Sequence, residues 1–317
     1  MMTFSNATRS LSSTGFTRTC APQVPVKLRR FRSGTLPYLP EGPFLWRDSR
    51  PSEREIAAHH ANVSRLYRSI SPYLSQVRRF NVGEDAATAM LLDIALAFGF
   101  RDKRLVADLC CGYGESVGEL ARAGHHVVGL DLCAFHVTSA HRNPSTVYVA
   151  GDAARLPFRD DSFECIWSED SFSHVPDRRR LLLECFRVLK KDGLLVFSDL
   201  IRTDRLSRTQ TEAFCRSWCL AELETASTYK QLLPAAGLIV NAFHQPGTMM
   251  VGEHERRDAD RGDASYEEYR RWLLDNRETL ERLWGYPRYR AQRARLLMYP
   301  YLRSGRLDYA FVVARKP

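Results

Sequence analysis

The first chemical signal in this 317-residue chain is a pair of acids and a pair of glycines set around two apolar runs. Apolar residues lead into Asp108, the loop Leu109-Cys110-Cys111-Gly112-Tyr113-Gly114 follows, and Glu115 to Arg122 then has the composition of a helix. A strand–loop–helix of this kind lets backbone approach a ligand at its glycines and sets a helix N-terminus beside it. About twenty residues on, His126-Val127-Val128-Gly129-Leu130-Asp131 reads as a second buried strand ending in an acid, placed to accept both hydroxyls of an adenosine ribose.

The residues in the loop choose among adenosine ligands. A dinucleotide fold wants G-x-G-x-x-G, whose third glycine lets the helix face a pyrophosphate; here Val117 stands at that place and Cys110 precedes the pair. Asp108 would repel a phosphate, but suits a ligand with an ammonium and a sulfonium beside its adenosine, which is S-adenosyl-L-methionine. The expected cofactor contacts are Asp108, Cys110, Gly112 and Gly114 in the loop, Asp131 and Leu132 after the second strand, and Asp152 and Ala153 after the third, with Asp152 accepting from the adenine amino group. An ordinary strand-to-helix turn would account for the loop alone, but not for acids at successive strand ends.

Methyl transfer from such a cofactor is an in-line displacement with the nucleophile about 3 Å from the methyl carbon, so positioning supplies most of the catalysis. An amine acceptor must also lose a proton, to a base or through a pocket that depresses its pKa. The fourth-strand segment Trp167-Ser168-Glu169-Asp170-Ser171-Phe172-Ser173-His174 carries suitable groups. Ser168 is a further cofactor contact, and Asp170 and His174 are the catalytic candidates just past the strand end. Phe80, Asn81 and Gly83, in a short turn ahead of the first strand, would close over the methionine end.

The elements that must hold these groups alternate. Strands read at 104–109, 126–131, 146–150, 163–168, 193–199, 238–244 and 308–314, and helices at 115–123, 133–141, 178–190 and 225–236. This predicts an α/β fold, a Rossmann-like, mostly parallel seven-stranded sheet with an antiparallel last strand and helices on both faces. Asp177 should cap the helix after the fourth strand, with Lys190, Lys191 and Gly193 closing it. Ser52 and Glu55 form a capping box opening an amphipathic helix, and a second helix spans 85–98. The expected organisation is a basic tail over 1–40, lid helices over 51–103 and a catalytic domain over 104–317. Insertions at 201–224 and 247–305, the latter with a Ser265–Glu268 capping box, would cap the acceptor.

On these residues the chain resembles the class I S-adenosylmethionine-dependent methyltransferases, whose first motif reads D-x-G-x-G-x-G, with Cys110 standing at its first glycine. The W-S-x-D-x-x-x-H stretch, the Arg-rich helix after it and the V-L-K-x-x-G-x-L-x-F-x-D strand are similar to the glycine/sarcosine/dimethylglycine and phosphoethanolamine N-methyltransferases. Asn81-Val82-Gly83 resembles their H-V-G, and Gly305 to Phe311 their terminal strand. The resemblance implies N-methylation of a small molecule, with Asp170 at the acceptor or the cofactor and His174 as the base. Methylation of sulfur, oxygen or carbon on a specialised metabolite fits the same scaffold.

Bulk composition excludes other classes. No apolar run approaches the roughly 20 residues that span a bilayer. The net charge of +9 is concentrated in residues 1–40, where Arg9, Arg18, Lys27, Arg29, Arg30 and Arg32 meet no acid, so the folded part is close to balance and nucleic acid is not an expected partner. A nucleic-acid-binding or non-catalytic cofactor-binding protein is the remote alternative that the tail leaves open. That tail has the composition of an organellar transit peptide, for plastid or mitochondrion, or of a tail with no address in a cytoplasmic protein. The eight cysteines show no C-x-x-C pair and read as reduced. Cys215 and Cys219 are one turn apart but have no further ligands nearby, so no metal is expected. Oligomeric state leaves no mark in the sequence.

Overall fold

The computed structural model describes residues 52–61, 84–102, 104–139, 146–247, 266–284 and 298–317. The expectations for the 1–40 tail, for Phe80, Asn81 and Gly83, and for Ser265 lie outside these residues.

Seven strands form one sheet in the order β3-β2-β1-β4-β5-β7-β6. They are β1 Leu105–Leu109, β2 His126–Asp131, β3 Thr146–Ala150, β4 Phe163–Glu169, β5 Leu189–Arg202, β6 Ile239–His244 and β7 Leu307–Arg315. The pairs β1·β2, β1·β4, β2·β3 and β4·β5 are parallel, whereas β7 runs antiparallel between β5 and β6. Parallel strands need crossovers and are covered on both faces, which is why β1 and the centre of β4, Cys165-Ile166-Trp167, read as apolar runs. One core cluster holds Val106, Val117, Leu120, Trp167, Val196 and Phe311, and the other holds Ala107, Leu109, Ile166, Leu181, Phe197 and Val312. Neighbours along one strand thus serve opposite layers, as a side-chain period of two requires.

The helices are α1 (residues 53–61), α2 Glu84–Ala97, α3 Glu115–Arg122, α4 Ala134–Ser139, α5 Arg178–Val188, α6 Arg208–Trp218, α7 Ala226–Ala235, α8 Tyr266–Asp275, α9 Arg277–Trp284 and α10 Met298–Arg303. Ser52 and Glu55 make the expected capping box, Ser52 N–H donating to Glu55 Oε2 at 2.8 Å and Glu55 N–H to Ser52 Oγ at 3.3 Å. The Asp177 carboxylate accepts the Arg180 N–H at 3.0 Å and caps α5. That helix stops at Val188, two residues before its expected end, because Leu189 already has extended backbone and pairs with Phe163 of β4. The left-handed residue in the following turn is Asp192 (φ 62), while Gly193 lacks a Cβ because one would lie 2.8 Å from the Lys190 carbonyl. No helix among the described residues is long and apolar enough to cross a membrane.

Candidate active site

The strand order reverses between β1 and β4, and in an open α/β sheet the ligand crevice lies at the carboxyl ends of the strands flanking such a point. Asp108, Glu169 and Asp170 stand at these ends, and Asp131 ends β2 next door.

The loop after β1 is a run of alternating left-handed residues, Cys110 (φ 59), Gly112 (φ 54) and Gly114 (φ 80). A side chain is strained in that region, which gives a backbone reason for the glycine preference at the site of Cys110. At Gly112 a Cβ would meet open space, so its left-handed φ is what favours glycine. At Gly114 a Cβ would lie 2.7 Å from Cε1 of Tyr148, so the group that comes close there is a β3 side chain of the protein itself. Three loop N–H groups are engaged internally: Cys111 donates to the Leu130 carbonyl at 3.0 Å, Gly112 to Asp131 Oδ2 at 2.9 Å, and Gly114 to the Cys111 carbonyl at 2.9 Å.

Two buried acids at adjacent strand ends differ sharply. Asp131 is braced: Oδ1 accepts the Cys133 N–H at 2.8 Å and faces His136 Nδ1 at 3.1 Å, while Oδ2 takes Gly112. A carboxylate offers about four acceptor positions, so about one is left for a ligand hydroxyl. Asp108 is 2% exposed, and its Oδ2 is buried with no hydrogen-bond partner among the described residues. Burial, then the charges of Glu169 and Asp131, push its pKa well above the usual carboxylate value. Glu169 is fixed from its own strand, Trp167 Nε1–H donating to Oε1 at 2.7 Å.

The other expected cofactor residues fall into place as follows. Asp152 is half-buried and forms an Asx turn, Oδ1 accepting the Ala154 N–H at 2.8 Å. Ala153 is buried beside it, and Leu132 is half-buried after Asp131. The Ser168 hydroxyl is fully buried and donates to the Leu109 carbonyl at 2.9 Å, so it braces β4 against the start of the loop.

Beyond β4, Asp170 adopts a left-handed φ of 48, and its Oδ2 accepts the Tyr309 hydroxyl of β7 at 3.3 Å. His174 ends the 3-10 turn Phe172–His174, with Nδ1 3.1 Å from the Cys219 carbonyl. A carbonyl can only accept, so Nδ1 carries the proton and the neutral ring has its lone pair at Nε2. Helix α1 covers this rim. Glu53 pairs with Arg155, His60 sits in the field of Asp152, and His59 Nε2–H donates to the His174 carbonyl at 2.7 Å. His59 is 1% exposed, and burial pushes its pKa down to about 4.

The motif reading missed Glu169, His136, Tyr309 and His59. Strand alternation places Glu169 on the face of Trp167, and hence of Asp108, so it was open to inference; Tyr309 and His59 come from distant sequence and carry no local signal. Among the described residues no three His, Cys, Asp or Glu side chains gather as a metal site.

A family model described as a methyltransferase domain matches residues 107–197. Methyltransferase GfsG of Streptomyces halstedii is 33% identical over 144 residues, covering 42% of this chain and 52% of that protein. The glycine/sarcosine/dimethylglycine N-methyltransferase of Actinopolyspora halophila is 31% identical over 166 residues, covering 49% of this chain and 29% of that protein. The chain thus spans about half or less of the length of these curated relatives. Among solved structures, the (4+2)-cyclase SpnF superposes with a TM-score of 0.65 at 18% identity, covering 81% of this chain and 97% of that one. At that identity the likeness speaks for the fold and not for the reaction. The matched residues 107–197 run from β1 into β5, and over this part the chain is similar to methyltransferase domains, with a sheet of the observed strand order.

Proposed function

We propose that the chain transfers the methyl group of S-adenosylmethionine to a small-molecule acceptor, an amine in the first reading. Asp108 carries the proposal. A buried carboxyl oxygen with no partner among the described residues, with Glu169 and Asp131 close enough to raise its pKa, marks a place where negative charge is disfavoured until a cationic ligand offsets it. The cofactor brings an ammonium and a sulfonium; a dinucleotide brings phosphates, and three of the loop's N–H groups that would cradle them are engaged.

In this reading Asp131 receives one ribose hydroxyl at its remaining acceptor position, and Asp152 takes the adenine amino group on Oδ2, with Leu132 and Ala153 flanking the rings. Cys110, Gly112 and Gly114 shape the loop beneath, and Ser168 holds that loop to β4. Phe80, Asn81 and Gly83 are assigned to the methionine end from the sequence alone. When bound, S-adenosylmethionine supplies an electrophilic methyl on its sulfonium. His174, with Nδ1–H on the Cys219 carbonyl, is assigned to take the proton an amine must lose. Asp170, which accepts from the Tyr309 hydroxyl, is assigned to the acceptor or to the cofactor beside it. Residues 201–224 and 247–305 are assigned as its cap.

N-methylation is favoured by the W-S-x-D-x-x-x-H spacing and by the Nδ1–H tautomer of His174, since thiols and phenols need less help with the proton. Release of S-adenosylhomocysteine across a panel of amines, thiols and phenols tests it. Turnover of amines that falls with His174→Gln is expected. Turnover of thiols or phenols alone moves the acceptor to sulfur or oxygen, and no release with any class, from protein that also fails to bind the cofactor, ends the proposal.

A further inference from the structure

The turn that carries His174 is held from a second buried acid that does not touch the ring. Asp199 of β5 is fully buried; its Oδ1 accepts the Ser173 N–H at 3.0 Å and its Oδ2 accepts the Tyr229 hydroxyl of α7 at 2.6 Å. The Ser173 carbonyl in turn accepts from Ala221 N–H at 2.9 Å and Glu222 N–H at 3.3 Å. That links the turn to the stretch containing Cys219, whose carbonyl takes the His174 ring proton. Arg178, 4% exposed, makes a second link between the same two segments, Nη1 donating to the Val175 carbonyl at 2.6 Å and Nη2 to the Glu222 carbonyl at 3.1 Å.

We propose that Asp199, with Tyr229 and Arg178, is a positioning unit that fixes the tautomer of His174. Ser173 is its hub: one backbone group is anchored to Asp199 and the other to the segment that presents the Cys219 carbonyl, so the ring and its acceptor are located by the same residue. The surrounding layer is Phe172, Phe197, Ile201 and Leu233, where apolar side chains would satisfy packing at less desolvation cost than an acid, a phenol and a guanidinium. What the polar trio adds is direction, because its side-chain hydrogen bonds end on residues of the 173–178 or 219–222 stretch or inside the trio. The proposal rests on the reading of His174 as the proton acceptor.

The test reads the ring itself, in the full chain labelled with 15N, with the His174 signals assigned from the spectrum of His174→Gln. The unaltered protein should show His174 predominantly as the Nδ1–H tautomer, with a minor Nε2–H population that sets the reference ratio. Asp199→Asn keeps the volume but has one oxygen where two donors must be met, so the ratio of Nδ1–H to Nε2–H should fall about fivefold, the weight of one hydrogen bond. Tyr229→Phe keeps the acid and the ring packing, and should move the ratio about twofold the same way. A purely structural trio would lower the melting temperature in both variants and leave the tautomer as it was; that result in either folded variant overturns the proposal. Folding is judged by circular dichroism rather than by ligand, so the outcome stays readable if the chain does not bind S-adenosylhomocysteine, and Tyr229→Phe decides if Asp199→Asn does not fold.

Discussion

The cradle around Asp131 and the turn around His174 stand at the same end of the sheet and are built in opposite ways. In the cradle the partners are sequence neighbours: Gly112 is 19 positions from Asp131, Cys133 two and His136 five. The turn is held from afar, by Asp199 at 26 positions from Ser173, Cys219 at 45 from His174 and His59 at 115. A site closed by local bonds keeps its shape as long as two strands stay paired, whereas one closed by distant segments depends on the whole domain. Binding of the cofactor and removal of the proton should therefore come apart under mutation.

The sharpest break between the two regions is a crossed pair of variants. His174→Gln should lower turnover of the accepted amine by about 10²–10⁴-fold while leaving S-adenosylhomocysteine affinity within about threefold. Asp131→Ala should do the reverse in origin, weakening that affinity by about 100-fold because one buried, multiply bonded acid is removed and its donors are stranded. Steady-state kinetics and calorimetry on both proteins check this; equal losses of affinity in the two would erase the distinction.

A pH series separates the regions next. His59, which reaches the turn from α1, has a folded pKa of about 4 against the usual 6.5. The unfolded chain therefore binds the proton more readily, so this stability is present above pH 6.5 and is lost as pH falls through 4, by about 3 kcal/mol across the window. Urea midpoints from pH 7.5 to 4 should slope less steeply in His59→Gln than in the unaltered protein. Identical slopes would mean that burial of this ring is not felt.

Within the cradle, two glycines make a finer contrast. Gly114→Ala meets both a left-handed φ and the Tyr148 side chain and should cost about 2–3 kcal/mol; Gly112→Ala meets strain alone, about 1 kcal/mol. Thermal melts rank them, and a larger loss at Gly112 would contradict the account of the loop.

The same contrast explains what could be read from the sequence. Apolar runs closed by Asp108 and Asp131 mark β1 and β2 because a parallel strand is buried on both faces, and the local motif then supplies the loop. The capping residues Ser52 and Asp177 were legible for the same reason, since a cap is satisfied within three residues. Glycine spacing showed where the loop bends but not that Tyr148 occupies the space over Gly114, and the pattern of acids did not tell the braced one from the unpartnered one. Tyr309, His59 and Asp199 act through contacts made only once β7, α1 and β5 are packed together, and no periodicity encodes that.

In the proposed function, the buried acid at the end of β1 favours a cationic cofactor. Replacing it with a neutral isostere tests this directly, because the same substitution should act on the free and the bound protein in opposite senses. Asp108→Asn should raise the melting temperature of the free protein, since it removes a group whose charged form burial and like charges disfavour, and should weaken S-adenosylmethionine binding by about tenfold or more in calorimetry. An Asp108→Asn protein that binds S-adenosylmethionine as tightly as the unaltered chain, or an unaltered chain that ignores it and takes up a nicotinamide dinucleotide, would contradict the account.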